Sequence, residues 1–340
     1  MSTKEACRSR RCPIWLLAAV AGLCAFPTAV VGQDLQFNET ESGLLVQEDA
    51  TKLGRWFEVV RQSICGPRTD PQWTPLTIDT LFTKGWDEPW IKPPSGSGGA
   101  PRMGWVNAAD GHFNRNFILD YLYTDRVPGT SSGSPHSNQN LGIFQFQSPL
   151  SRRLWISLDL PFPANNQNQS INGVPGKSSF GSFNVSTRVM LHETQDLSVN
   201  AGLGVRTDVG DSAVGTGQTR LYPQGQFWKD IGSGFVVRGG FGADIATNPS
   251  LSPSATVSQL ALGRFLTPHD AAPFGDLALS LGLVVRNTLG VADPSSFVSL
   301  TPAIRTHLGR NYFLLAGWEV PVVGPVPFQE RLTFQFIKGF

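Results

Sequence analysis

The chain has 340 residues, with 27 Lys and Arg against 26 Asp and Glu. That balance removes the electrostatic case for a nucleic-acid partner or a strongly basic membrane-surface protein. A mean hydropathy of −0.09 excludes a bundle of membrane helices, since only the N-terminal apolar run comes near the ~20 residues a spanning helix needs.

Residues 1–32 carry the signature of a secretory leader. Lys4, Arg8, Arg10 and Arg11 make a basic start, Ile14 to Ala25 an apolar core, and Val30-Val31-Gly32 a cleavage site before Gln33. A lipoprotein reading of Cys24 is disfavoured by Leu23, which is not the small residue that processing wants. Removal of the leader takes Cys7, Cys12 and Cys24 with it. Cys65 is then alone, without a partner for an internal disulfide or a zinc cluster, and reads as a free thiol.

Residues 33–112 form a separate N-terminal segment, partly helical and partly irregular. Leu44, Leu45, Leu53, Trp56, Phe57, Val60 and Ile64 recur on one amphipathic face, predicting a helix within 33–64. Trp86-Asp87-Glu88-Pro89-Trp90 and Pro93-Pro94-Ser95-Gly96-Ser97-Gly98-Gly99 follow, which is linker chemistry without a period. A plug inside a barrel and a periplasmic tail leaning on its rim are both open for this segment.

From 113 to 340 the pattern changes to alternation with period two. Leu154, Ile156, Leu158 and Leu160 alternate with Trp155, Ser157 and Asp159. The same texture recurs over 183–191, 197–206 and 277–286, with weaker candidates starting near 113, 138, 217, 234, 256, 297, 311 and 328. Twelve strands of membrane-crossing length result, with ten or fourteen as alternatives. Short connections near 148–151, 192–196, 229–233 and 308–310 alternate with longer ones near 125–137, 161–178, 208–216, 247–255 and 287–296. That rhythm is expected of an all-β, antiparallel, up-and-down transmembrane barrel rather than a Greek-key sandwich. The 36 Gly and 22 Phe fit, because aromatics ring both membrane interfaces and glycine eases curvature. The loop 161–178 holds Asn165, Asn166, Gln167, Asn168, Gln169 and Asn172 and reads as solvated, with glycan contact a lesser alternative.

The polar phase of these strands is the expected lumen lining. Its candidates are Arg153, Asp159, Arg188, Arg206, Arg220, Arg238, Asp244, Arg286, Arg305, Glu319 and Arg331, with Asp120 on the same phase. Arg153, Arg188, Arg238 and Arg305 fall towards one end, and Arg206, Arg220, Arg286 and Arg331 towards the other. Rings of arginine favour anions and grip carboxylates. Equally, Arg–acid pairs can simply fill and stiffen a narrow lumen. Enzyme chemistry finds little support: Ser299 and His307 share a phase but stand about 26 Å apart along a strand. Asp110 and His112 lack the remaining partners of a catalytic set. No metal-ligand spacing and no cofactor motif is present.

The last strand alternates Leu332, Phe334 and Phe336 with Thr333, Gln335 and Ile337, and the chain ends on Phe340. A terminal aromatic strand of this kind is what barrel-assembly machinery reads, although Lys338 stands where an aromatic is usual. With the strand pair around Ala316-Gly317-Trp318-Glu319-Val320-Pro321, the pattern over 113–340 resembles the outer-membrane channels of the meta-pathway of phenol degradation. Those are similar in turn to long-chain fatty-acid transporter barrels. The resemblance implies a cell outer membrane location, passage of hydrophobic or aromatic solutes, and an N-terminal segment plugging the lumen. The arginine-rich lining instead suits anions. The reading is a monomeric or trimeric channel or passive transporter with lipid, assembly machinery and a small solute as partners. A non-conducting structural or adhesion barrel is the alternative.

Overall fold

The computed structural model describes residues 39–67, 73–127, 137–161, 163–167, 177–180, 182–207, 218–271, 273–290, 295–325 and 327–340. The expected leader, 1–32, and most of the expected 161–178 loop lie outside these residues. The chain divides into two units, Met1–Phe57 and Glu58–Phe340. Helix α1, Glu39–Cys65, begins in the first and ends in the second. Gly66-Pro67 stops it, and Arg115 Nη1 donates to the carbonyls of Ser63 at 3.2 Å, Ile64 at 3.1 Å and Gly66 at 2.9 Å. A cation on those orphan carbonyls is a C-terminal cap from a distant part of the sequence.

The second unit is built on a closed antiparallel sheet. Its strands are β1 (Asn116–Val127), β2 (Ser137–Pro149), β3 (Leu154–Pro161), β4 (Pro163–Gln167), β5 (Lys177–Phe180), β6 (Phe183–Glu193), β7 (Leu197–Thr207), β8 (Arg220–Gly232), β9 (Phe235–Ala246), β10 (Ser254–Phe265), β11 (Gly275–Leu289), β12 (Ser296–Gly309), β13 (Tyr312–Val323) and β14 (Glu330–Gly339). β4 and β5 pair with each other and β4 continues along β2, so they prolong β3 and β6 as an outer hairpin. The wall therefore has the expected twelve positions. β1 pairs with both β14 and β2, which closes the barrel wall, while β5 at the tip of the outer hairpin pairs with β4 alone among the described strands. Asn165, Asn166 and Gln167, expected in a loop, lie in β4; amides in strand register can use their backbone for pairing however polar the side chain is.

Short links at one end, called here the near end, join β2–β3, β6–β7, β8–β9 and β12–β13. Arg310 and Asn311 adopt φ of 49° and 62°, the doubly left-handed turn that matches strand twist in a tight hairpin. The β10–β11 link at the same end, 266–274, is longer than that rhythm leads one to expect.

Outside, Leu119, Leu203, Phe241, Leu260, Leu281, Leu314, Phe334 and Phe336 are 41–62% exposed. A continuous apolar belt of this kind is unstable against water and matches the hydrocarbon face of a membrane barrel. Phe340 stacks on Phe117 at 4.7 Å and Phe146 at 5.9 Å, closing the near end of the β14–β1–β2 seam. Lys338, the misfit in the terminal pattern, lies 3.9 Å over the Tyr312 ring and donates to Arg310 O at 2.6 Å.

Candidate functional site

The interior holds more than wall side chains. Residues 96–115 of the same unit run from the near rim into the barrel, and the wall is shaped to receive them. A Cβ on Gly263 would lie 2.7 Å from the Trp105 ring, and one on Gly111 would lie 2.1 Å from the Phe227 backbone. Neither approach is open to a larger residue. Trp105 packs with Ala100, Trp228, Val236 and Ala261, while Met103 and Val106 pack with Ile118, Phe313, Leu315 and Ile337.

An irregular segment in a barrel has backbone groups that no sheet satisfies, so the wall must supply partners. Arginine does this here. Arg238 Nη1 donates to Met103 O at 2.8 Å and its Nε to Ala109 O at 3.1 Å, while Nη2 pairs with the Asp110 carboxylate. Arg305 donates to Gly104 O at 2.6 Å. Arg188 and Asn200 both donate to Asp110 O at 3.1 Å. Arg102, itself on the segment, pairs with Glu193 at 3.1 Å, both side chains nearly fully buried. At the rim Ser97 N donates to Asp196 Oδ1 at 2.6 Å, and Gly98 N to Asp230 Oδ2 at 3.0 Å. The Ser97 hydrogen bonds hold the Asp196 carboxyl below the usual carboxylate range.

The far-half arginines do something else. Arg220 and Arg286 share Asp244, the latter at 2.7 Å. Arg331 pairs with Glu319 at 3.0 Å, and Glu319 also accepts from Ser299 at 2.6 Å and Asn107 at 3.0 Å. Asp159 accepts from Asn184 at 2.7 Å and Ser157 at 2.9 Å. Arg206 is half-buried and lies 4.9 Å over the Tyr222 ring; among the described residues its guanidinium makes no hydrogen bond or close ion pair, although Asp159 on the same cavity is within its electrostatic reach. Of the expected lumen set, Arg153 sits elsewhere, in the near-end turn before β3. There it donates to Lys84 O at 2.9 Å, Met190 O at 2.7 Å and Thr77 O at 2.9 Å.

Between these two levels lies a cavity of about 330 Å³, floored by Trp105, Asn107, Ala109 and Asp110. Gln145, Gln147, Gln224, Gln226, Gln259 and Gln335 line it, together with Asp159, Asn184, Arg188, Arg206 and Tyr222. Gln226 is buried, and its Oε1 has no partner among the described residues. The amides were missed in sequence, although Gln145/Gln147 and Gln224/Gln226 share the two-residue spacing that puts both on one face. Asp110 and Asn107 had no such signal, because nothing periodic marks an irregular segment. Ser299 is committed to Glu319 and Asp110 to arginine, so neither is set against a histidine.

No sequence-family model matches the chain, and no curated protein matches it. Solved structures do. The chain superposes on an outer membrane channel from Pseudomonas putida F1 with a TM-score of 0.53 and 13% identity, over 70% of this chain and 99% of that one. The two share a fold. The KdgM porin (TM-score 0.43, 8% identity, 66% of this chain and 99% of that one) and the β domain of the Bordetella autotransporter BrkA (0.43, 9%, 67% and 100%) are more distant. At these identities the likeness concerns architecture, an outer-membrane-type barrel.

Proposed function

We propose that this protein is an outer-membrane channel for small hydrogen-bonding solutes, carboxylate-bearing ones included, whose near half is plugged by residues 96–115. The observation that carries this reading is the amide-lined cavity resting on the segment. Six glutamines offer donors and acceptors to a passing solute, and Arg206 is a cation without a close ion pair among the described residues. The anionic reading gains from Arg206; transport of hydrophobic or aromatic solutes, implied by the phenol-pathway resemblance, gains nothing from so polar a lining. Lipid and the barrel-assembly machinery are the expected partners, with Leu332, Phe334, Phe336 and Phe340 as the assembly signal.

A second reading, a permanently closed structural barrel, is favoured by one observation: Arg188, Arg238 and Arg305 spend their donors on the segment's own carbonyls. Planar-bilayer conductance separates the two. Under the channel reading the wild type conducts in brief events, and a variant lacking residues 96–111 conducts continuously with a preference for anions. Silence of both, from demonstrably folded protein, supports the closed barrel.

A further inference from the structure

We infer that the near rim carries a binding site for a divalent transition ion of the zinc class, formed by His269, Asp276 and His307. One ring nitrogen of each histidine and a carboxylate oxygen of Asp276 lie within 4.8 Å of one another. These residues come from the long β10–β11 link, the start of β11 and the end of β12, so the sequence spacing gives no hint of them. Register brings them together: Gly275 pairs with His307 across β11–β12, and a bulge between Gly275 and Ala278 follows. Bulges re-aim side chains. Asp276 sits in this one at φ 48°, a backbone conformation unfavourable for a non-glycine residue, and is buried against His269 with Nδ1–Oδ2 of 2.5 Å.

The donor set has the features of a ligand set rather than of packing. His307 is 8% exposed, its Nδ1 faces His269 O at 3.2 Å, and its Nε2 is buried with no partner among the described residues. An imidazole oriented by a backbone carbonyl through one nitrogen and left bare at the other is the arrangement seen in metal-bound histidine. His269, by contrast, is 58% exposed, so its ring can turn out of its stack on His307 and an ion can enter from solvent. Two imidazoles and one carboxylate with an open fourth position suit Zn²⁺ or its neighbours and not Mg²⁺ or Ca²⁺, which want oxygen donors. Arg305 lies on the same face of β12, and its charge opposes a cation there. Asp276 offsets that, and Arg305 is committed to Gly104 O. The ion takes the place of the His269–Asp276 hydrogen bond, and a neutral His269 then keeps its one proton on the ring nitrogen that does not bind. The ion ties the 266–274 link to β12 beside the Arg305 anchor.

The test is equilibrium dialysis of the full chain without a histidine tag, in detergent, stripped with EDTA and titrated with zinc chloride. Wild type is expected to bind one Zn²⁺ per chain that survives excess Mg²⁺. His269→Ala and His307→Ala should weaken it at least tenfold, and His192→Ala should not. Cobalt substituted at the site should show the visible absorption of a four-coordinate ion. No saturable zinc site in folded wild type, or equal binding by wild type and His269→Ala, overturns the inference. His269 is exposed, so loss of its ring does not threaten folding, which heat-modified gel mobility checks for every variant.

Discussion

Arg238 and Asp110 form an ion pair across the barrel interior in which the guanidinium is completely buried and the carboxylate about one-quarter exposed. The same guanidinium holds the carbonyls of Met103 and Ala109. One wall residue thus ties down both ends of the stretch that floors the cavity. Breaking a buried pair from one side costs roughly 3–5 kcal/mol, because the remaining charge loses its partner. Arg238→Met is therefore expected to release residues 103–110, seen as faster proteolysis of the segment and longer open times in bilayers. Arg238→Lys should not restore closure, since an ammonium cannot reach three acceptors in a fixed fork. A segment as protected in Arg238→Met as in wild type would refute the assignment.

The Trp105–Gly263 contact makes a second, steric prediction. Gly263→Ala puts a methyl 2.7 Å from Trp105 and 2.8 Å from the Leu279 carbonyl, and overpacking of this kind typically costs about 1–3 kcal/mol. Trp105→Ala removes the large partner and costs about 3–5 kcal/mol by cavity formation. If the contact is what holds the segment, the double variant should be less destabilised than the sum of the two single changes. Double-mutant-cycle unfolding in detergent measures this, and strict additivity would place the strain on the Leu279 side instead.

The wall was legible in sequence and the site was not, and the reason is physical. Leu281 alternates with Gly282 because lipid and lumen lie on opposite faces of one strand, so period, length and link rhythm follow from the membrane itself. Arg188, Arg238 and Arg305 were found by the same phase. What they hold was hidden, because Met103, Gly104 and Ala109 take part through backbone carbonyls, and a carbonyl has no sequence signature. The zinc-type cluster was invisible for a related reason: Asp276 and His307 meet through a bulge, and a bulge breaks the period that would reveal them. Arg153 failed as a lumen residue because phase means nothing in a turn.

Arg206 makes the sharpest prediction about selectivity. Arg331 is paired one to one with Glu319, so its charge is already largely cancelled at the distance of a passing ion, whereas Arg220 and Arg286 share the single carboxylate of Asp244 and keep a net positive charge. Arg206, stacked on Tyr222, makes no direct ion pair among the described residues and keeps more of its field than Arg331 does. Arg206→Gln should reduce the anion preference of the open barrel more than Arg331→Gln does, read as the shift in reversal potential across a salt gradient. Equal shifts would mean that Glu319 does not screen Arg331 as the geometry requires.

At the rim, Asp196 fastens the linker by accepting the Ser97 N–H, and that bond lowers its carboxyl pKa. A free aspartate takes up its proton near pH ~3.9, whereas the docked one stays ionised to lower pH. The undocked state then binds more protons in the window between the two values, and stability rises with pH there. The tie is fully present above the ordinary value and is lost as pH falls through the lowered one. Carbon-13 titration of Asp196 in micelles should therefore give a midpoint below ~3.9, with the Ser97 amide shift moving in step. Asp196→Asn should leave the Ser97 amide insensitive to acid. A midpoint at or above the ordinary value would mean that the linker does not rest on this carboxylate in solution.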